Sequence, residues 1–172
     1  MKPIEGYNKL RGGYYTPEKI AEFIATWAIR TKNDEILEPS CGDGSFISAI
    51  ADRLHKMGAS DQSIKHNVTG VELDKVEASK ASQYGPNVVQ SDFFTYYQKC
   101  IDGEKEFDVI VGNPPFIRYQ NFEEEYRKVA FELMIKHGFQ TNRLMNIWLP
   151  FLVLACKALK PDGRVGMVIP AE

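Results

Sequence analysis

The stretch Phe107-Asp108-Val109-Ile110-Val111-Gly112-Asn113-Pro114-Pro115-Phe116 changes character halfway along. Its first half is an apolar, β-branched run of the kind found in strands buried on both faces of a parallel sheet. Its second half cannot extend that strand, because Pro114 and Pro115 have no N–H to donate to a neighbour. Working outward, residues 35–38, 68–73, 87–90 and 164–169 also read as strands. Helical patterns lie between them. Thr16-Pro17-Glu18 offers an N-cap, a proline at the first helical position and an acid in the first turn. Ile20, Phe23, Ile24 and Trp27 then recur at helical spacing, which predicts an amphipathic helix reaching Arg30. Phe46, Ile50, Leu54 and Met57 form the apolar face of a second helix, with Gly58 placed to cap its end. A short polar helix over 74–82, a polar one over 122–137 and a strongly apolar one over 146–159 follow, then a turn at Lys160-Pro161-Asp162-Gly163. Strands alternating with helices specify an α/β fold: a doubly wound, mainly parallel, Rossmann-like sheet forming one domain over residues 1–172. The chain stops just after a strand that reads as central. The expectation is therefore a piece of a longer protein, truncated after its fifth strand; the alternative is a minimal natural domain.

Composition narrows the function classes. Of the 172 residues, 44% are hydrophobic and 26% charged, which excludes disordered and fibrous classes. The longest apolar run, Ile147 to Cys156, is broken by Pro150 and falls short of the roughly 20 residues needed to span a bilayer, so no membrane partner is expected. The first residues carry no secretory signal. Cys41, Cys100 and Cys156 are odd in number and form no C-x-x-C pair, which points to a reduced, cytoplasmic protein. His55, His66 and His137 are scattered without ligand spacing, so surface placement and no metal are expected. A net charge of -2 gives no basic footprint; a nucleic-acid partner would need a local patch or another module. Arg118, Arg127, Lys128, Lys136 and Arg143 are nearly cancelled by Glu123-Glu124-Glu125 and Glu132, which reads as a solvated helix face.

In open α/β sheets, ligands bind beyond the carboxyl ends of the strands. Four such ends carry conspicuous residues. In Glu38-Pro39-Ser40-Cys41-Gly42-Asp43-Gly44, the glycines allow a sharp turn and close approach of a ligand; a tight strand-to-helix connection would use them equally well. The loop fails as a dinucleotide fingerprint because Ile47 replaces the third glycine, and as a P-loop because no lysine follows. What remains is a glycine turn beside Glu38 and Asp43, suited to a cationic ligand rather than a phosphorylated one. At the second end, Glu72, followed by Leu73, can accept two hydrogen bonds from a ribose diol, or stand as a solvated strand-end charge. At the third, Asp92 and Phe93 can bind an amino group and stack an adenine; alternatively, one of Phe93 and Phe94 is core. At the fourth, the prolines fix their own φ and withdraw two donors, so the Asn113 amide oxygen and the Pro114 carbonyl can face one amino group beside the Phe116 ring. A plain proline turn accounts for the prolines but not for the amide and the aromatic that bracket them.

These motifs together resemble the S-adenosylmethionine-dependent adenine-N6 DNA methyltransferases of restriction–modification systems. The match is to the gamma-type subgroup, in which cofactor motifs precede the target-recognition sequence. The resemblance runs from Gly13-Tyr14-Tyr15-Thr16-Pro17 to Val168-Ile169-Pro170. It implies that Tyr15, Thr16 and Pro17 cap the methionine end of the cofactor. Glu38, Pro39, Ser40, Cys41, Gly42 and Gly44 form the glycine-rich cofactor loop, Glu72 with Leu73 holds the ribose, and Asp92 with Phe93 holds the adenine. Asn113, Pro114, Pro115 and Phe116 match the catalytic tetrapeptide, with Asn113 also beside the cofactor. Asn146-Ile147-Trp148 is similar to a later motif that helps line the site. The resemblance further implies double-stranded DNA as partner, engaged through a recognition domain absent from this chain, so that the fragment alone is expected to be inactive on DNA. Related Asn-Pro-Pro enzymes acting on RNA adenine or protein glutamine, and an inactive cofactor-binding module, are the alternatives.

Overall fold

In a computed structural model, which describes residues 16–142 and 145–171, five parallel strands form one sheet in the order β3-β2-β1-β4-β5. The strands are β1 (Ile36–Glu38), β2 (Val68–Glu72), β3 (Asn87–Gln90), β4 (Phe107–Gly112) and β5 (Leu159–Met167). The helices are α1 (Glu18–Ala28), α2 (Ser45–Lys56), α3 (Asp61–Asn67), α4 (Lys75–Ala81), α5 (Phe93–Cys100), α6 (Glu124–Lys136) and α7 (Trp148–Lys157). Side chains alternate across the sheet and fill two cores. Ile36, Val68, Val109 and Val111 meet α1 and α2 on one face. Leu37, Val71 and Ile110 meet α5, α6 and α7 on the other. Burial on both sides explains why these strands read as unbroken apolar runs.

The order of the strands positions the site. From β1 the chain steps outward to β2 and β3, then returns to β4 on the opposite side. The sheet therefore has its topological switch point between β1 and β4, the place at which open α/β sheets bind ligands beyond the carboxyl ends.

Several local expectations are corrected. The α1 helix buries Ala21, Ala25 and Ala28 and leaves Ile20, Phe23 and Trp27 largely exposed. The small residues face inward because the helix lies close to the sheet: a Cβ on Gly166 of β5 would sit 2.7 Å from Ile24 Cγ2. Pro17, not Thr16, stands at the N-cap of α1, without a side-chain cap bond. Two helices are additional to those read from the sequence, α3 and α5, capped by Ser60 and Asp92 respectively. The expected turn at Lys160–Gly163 lies inside β5 as a bulge: the register against β4 shifts between Leu159 and Arg164, and Asp162 takes a left-handed φ of 64°. Of the histidines, His55 and His66 are exposed, but His137 is half-buried, edge-on to Tyr97 and 3.4 Å from Asp102.

Candidate active site

Parallel pairing places Glu38 opposite Gly70, Glu72 opposite Gln90 and Gly112 opposite Met167, so the first, second and fourth motifs leave the sheet at one edge. The glycine turn begins immediately. Cys41 N–H still reaches the Val71 carbonyl at 3.0 Å, and Gly44 N–H closes onto the Cys41 carbonyl at 2.9 Å. Gly42 and Gly44 both take positive φ, for different reasons. A side chain on Gly42 would meet nothing within 4 Å, so this position faces open space beside the turn. One on Gly44 would strike Ala81 Cα at 2.8 Å and the Tyr84 ring at 2.9 Å, so this glycine lets α2 start against α4.

Glu72 holds the turn in place. Its Oε2 accepts the Gly42 N–H at 2.8 Å and its Oε1 the Asp74 N–H at 2.7 Å. Each oxygen keeps a second lone pair, so the carboxylate can also accept hydroxyl groups. Burial raises its pKa, and the two backbone donors act against that rise. Asp43 is turned towards α2, accepting both the backbone N–H and the hydroxyl of Ser45. Glu38 is different. Its carboxyl is buried, and its Oε2 has no hydrogen-bond partner. Burial, then the neighbouring Glu72 and Asp43, hold its pKa well above the usual carboxylate range. The same burial and acidic surroundings push the Cys41 thiol upward, which makes it unreactive packing rather than a nucleophile.

Across the switch point, Gly112 ends β4 with its α-carbon against Glu38. A Cβ there would lie 3.4 Å from Glu38 Cγ and 3.4 Å from Pro39 Cδ. Asn113 follows, half-buried with its Oδ1 shielded from solvent, and its carbonyl accepts the Ser40 hydroxyl at 3.2 Å. The glycine turn and the Asn113-Pro114-Pro115-Phe116 loop are thus tied to each other. Pro114 is buried, while Pro115 and Phe116 keep part of their surface. Beyond them the chain pairs with the later segment singled out from the sequence, Asn146-Ile147-Trp148. Ile147 N–H donates to the Ile117 carbonyl at 2.9 Å, and Arg118 bridges antiparallel to Asn146. Asn146-Ile147-Trp148 therefore lies against the strand leaving the tetrapeptide, a juxtaposition across distant sequence that no local pattern announces.

The remaining motif residues are placed less directly. Asp92 serves as the N-cap of α5, its Oδ1 accepting the Phe94 and Thr95 N–H groups. Phe93 and Phe94 are both core, not one of the two; Phe93 is 2% exposed with Phe151 stacked at 4.9 Å. Thr16 is buried at the head of α1, and Tyr15 lies outside the described residues. Among the described residues, no helix is long and apolar enough to cross a membrane, and no His, Cys, Asp and Glu side chains gather in a group that could hold a metal ion.

An acid-lined glycine turn facing an acceptor-rich Asn-Pro-Pro-Phe loop is the site with which the family comparison must agree. The family described as N-6 DNA Methylase matches residues 4–172. The chain belongs to this family. Among its relatives, the type II methyltransferase M.HincII of Haemophilus influenzae is 30% identical over 159 residues, covering 92% of this chain and 28% of its own length. The modification methylase CviBIII of Paramecium bursaria Chlorella virus NC1A is 29% identical over 169 residues, covering 94% and 38%. The chain thus spans between about a quarter and two fifths of these relatives. Among solved structures, the DrdV–DNA complex aligns over 95% of this chain and 21% of its own, with a TM-score of 0.68 at 19% identity. The EcoKI M protein of a type I restriction enzyme covers 95% and 35%, with a TM-score of 0.62 at 16% identity. These structures share the fold: an α/β, Rossmann-like sheet.

Proposed function

We propose that this chain binds S-adenosylmethionine across the carboxyl ends of β1, β2 and β4. Within its full-length protein, it then directs methyl transfer to the N6 amino group of an adenine turned out of duplex DNA. The observation that carries this reading is the convergence, across one switch point, of a turn rich in acids with a loop rich in acceptors. The residues fit the cofactor. Glu38 offers a buried carboxyl without a partner, Gly42 leaves open space beside the turn, and Glu72 has lone pairs to spare for a diol. When bound, S-adenosylmethionine supplies a methyl group made electrophilic by a positively charged sulfur.

The chain's own residues prepare the acceptor. The lone pair of N6 is delocalised into the adenine ring, which makes this nitrogen a weak nucleophile. The Asn113 Oδ1 and the Pro114 carbonyl accept its two hydrogens and draw it towards tetrahedral geometry. As the bond forms, positive charge develops on N6, and fixed acceptors stabilise that state more than the ground state. Phe116 stacks the base and turns its negative face to the same charge, a contribution of roughly 0.5–2 kcal/mol. No strong base is needed, because the methylated amine becomes acidic and its proton passes to solvent. Turning the base out of the duplex costs a few kcal/mol. Asp92 would hold the cofactor's adenine with the oxygen not engaged in capping α5, backed by Phe93 in the core; Thr16 and Pro17, with Tyr15, would lie at its methionine end.

The test is transfer of labelled methyl from the donor by the intact protein, with duplex DNA, RNA and protein offered in parallel. Label recovered as N6-methyladenine from DNA is the expected result. Label in RNA adenine or in protein glutamine overturns the substrate assignment, and donor binding without turnover on any of the three overturns the enzymatic one.

A further inference from the structure

The cofactor reading uses Glu38 as an acceptor but leaves its proton unaccounted for. Glu38 ends β1 at the switch point, 1% exposed, and its Oε2 has no hydrogen-bond partner. Among the described residues, the groups that face it are acids or uncharged. Glu72 approaches from β2, Asp43 and the Cys41 thiol from the glycine turn, and the bare α-carbon of Gly112 from β4. No lysine, arginine or histidine among the described residues acts on it.

The three acids are not equivalent. Glu72 has both oxygens met by the backbone N–H groups of Gly42 and Asp74, which favour its ionised form. Asp43 is met by Ser45 and is partly exposed. Glu38 alone would bear a charge that is dry, unpaired and beside two like charges, the arrangement least favourable to ionisation.

We propose that Glu38 carries a proton in the ligand-free protein and releases it to solvent when the positive end of a cationic ligand enters, so that cation capture and proton loss are a single event. The inference rests on the S-adenosylmethionine reading for the identity of that cation. Charge balances in the step: one proton leaves the Glu38 carboxyl, one ligand cation takes its place, and the crevice keeps its net charge. Two consequences follow. Affinity for the cationic donor rises with pH, approaching about tenfold per unit where the exchange is complete. An uncharged nucleoside occupying the same crevice gains nothing from the exchange, so the selectivity for a charged donor grows in step.

The experiment is calorimetric titration of the protein with S-adenosylmethionine at mildly acidic pH, just above the ordinary carboxylate range, in buffers of different ionisation enthalpy. The expected result is release of about one proton per donor bound, read from the slope of heat against buffer enthalpy. Methylthioadenosine, which keeps the nucleoside but carries no positive charge, is expected to bind with buffer-independent heat. Glu38→Gln is expected to bind the donor without proton release and with an affinity that no longer rises with pH. Buffer-independent heats for a donor that does bind overturn the proposal while leaving the cofactor assignment standing. So does a Glu38→Gln protein that still releases the proton, or proton release on binding methylthioadenosine. A donor that does not bind at all contradicts the cofactor assignment and this inference together.

Discussion

The two ends of the sheet treat the same residue types in opposite ways. At the amino ends of the strands, Asp34, Glu35 and Asp108 each have a base. Asp34, itself buried, accepts Arg164 Nη2 at 3.0 Å and the Arg30 N–H at 2.9 Å. Lys160 Nζ sits 3.0 Å from both Glu35 and Asp108. Burial pulls the Asp108 carboxyl upward, but the Glu35 N–H and Lys160 outweigh it and hold it below its ordinary value. At the carboxyl ends, Glu38 and Glu72 face no such partner among the described residues, and both are raised. Supplied with bases, acids fasten the sheet; denied them, they keep their capacity for a ligand. The uncompensated end is the one from which function is expected.

Five substitutions, grouped in four predictions, break or sharpen this contrast. The largest effect belongs to the compensated end. Asp34→Ala leaves Arg164 nearly buried and unpaired and should lower the unfolding free energy by about 3–5 kcal/mol in denaturant titration. At the functional end, Asn113→Ala should reduce the rate of methyl transfer by about 10²–10³-fold while leaving donor affinity unchanged, the pattern of an acceptor used only in the transition state. Glu72→Ala should weaken donor binding by roughly 1.5–3 kcal/mol, since both the turn and the diol contact lose their acceptor; a titration calorimeter reads this directly.

The fourth prediction compares the ends by pH. Glu38 binds its proton more tightly folded than unfolded, so stability falls as pH rises from the ordinary carboxylate range towards its raised value, by up to about 1.4 kcal/mol per unit. Glu38→Gln should abolish that fall. Asp108 has the opposite sign: its depressed value contributes stability above the unfolded range that is lost as pH falls through the folded one. Asp108→Asn should remove an acid-side loss of about 0.5–1 kcal/mol, small because the pair is partly exposed. Melting temperatures of both variants across pH should therefore diverge from the parent on opposite sides of the ordinary carboxylate range.

Most of the architecture was legible because it rests on short-range rules. The apolar runs of β2, β3 and β4, the glycine turn after β1 and the prolines that end β4 each carry their own signal. The misreadings arise where tertiary contact overrides a local pattern. In α1, the large apolar residues promised the buried face, but close packing on Gly166 and α2 selected the alanines. In α5, Asp92 was read only as a ligand for the cofactor. Its place as an N-cap ahead of Phe94, Tyr97 and Ile101, at helical spacing, was the available signal for a helix. The motifs at the carboxyl ends were legible as residue types, but their convergence was not. The Ser40 bond to the Asn113 carbonyl and the pairing of Arg118 with Asn146 join segments far apart in sequence. That Glu38 is left without a partner is likewise a property of packing and cannot be read from the loop alone.

The arrangement proposed for the crevice is tested most directly by a crystal structure of the protein with S-adenosylmethionine bound. The predicted result is a donor methyl directed into the space in front of the Asn113 side chain and the Pro114 carbonyl, with its positive end towards Glu38. A methyl pointing away from that loop, or a donor held elsewhere on the sheet, would contradict it.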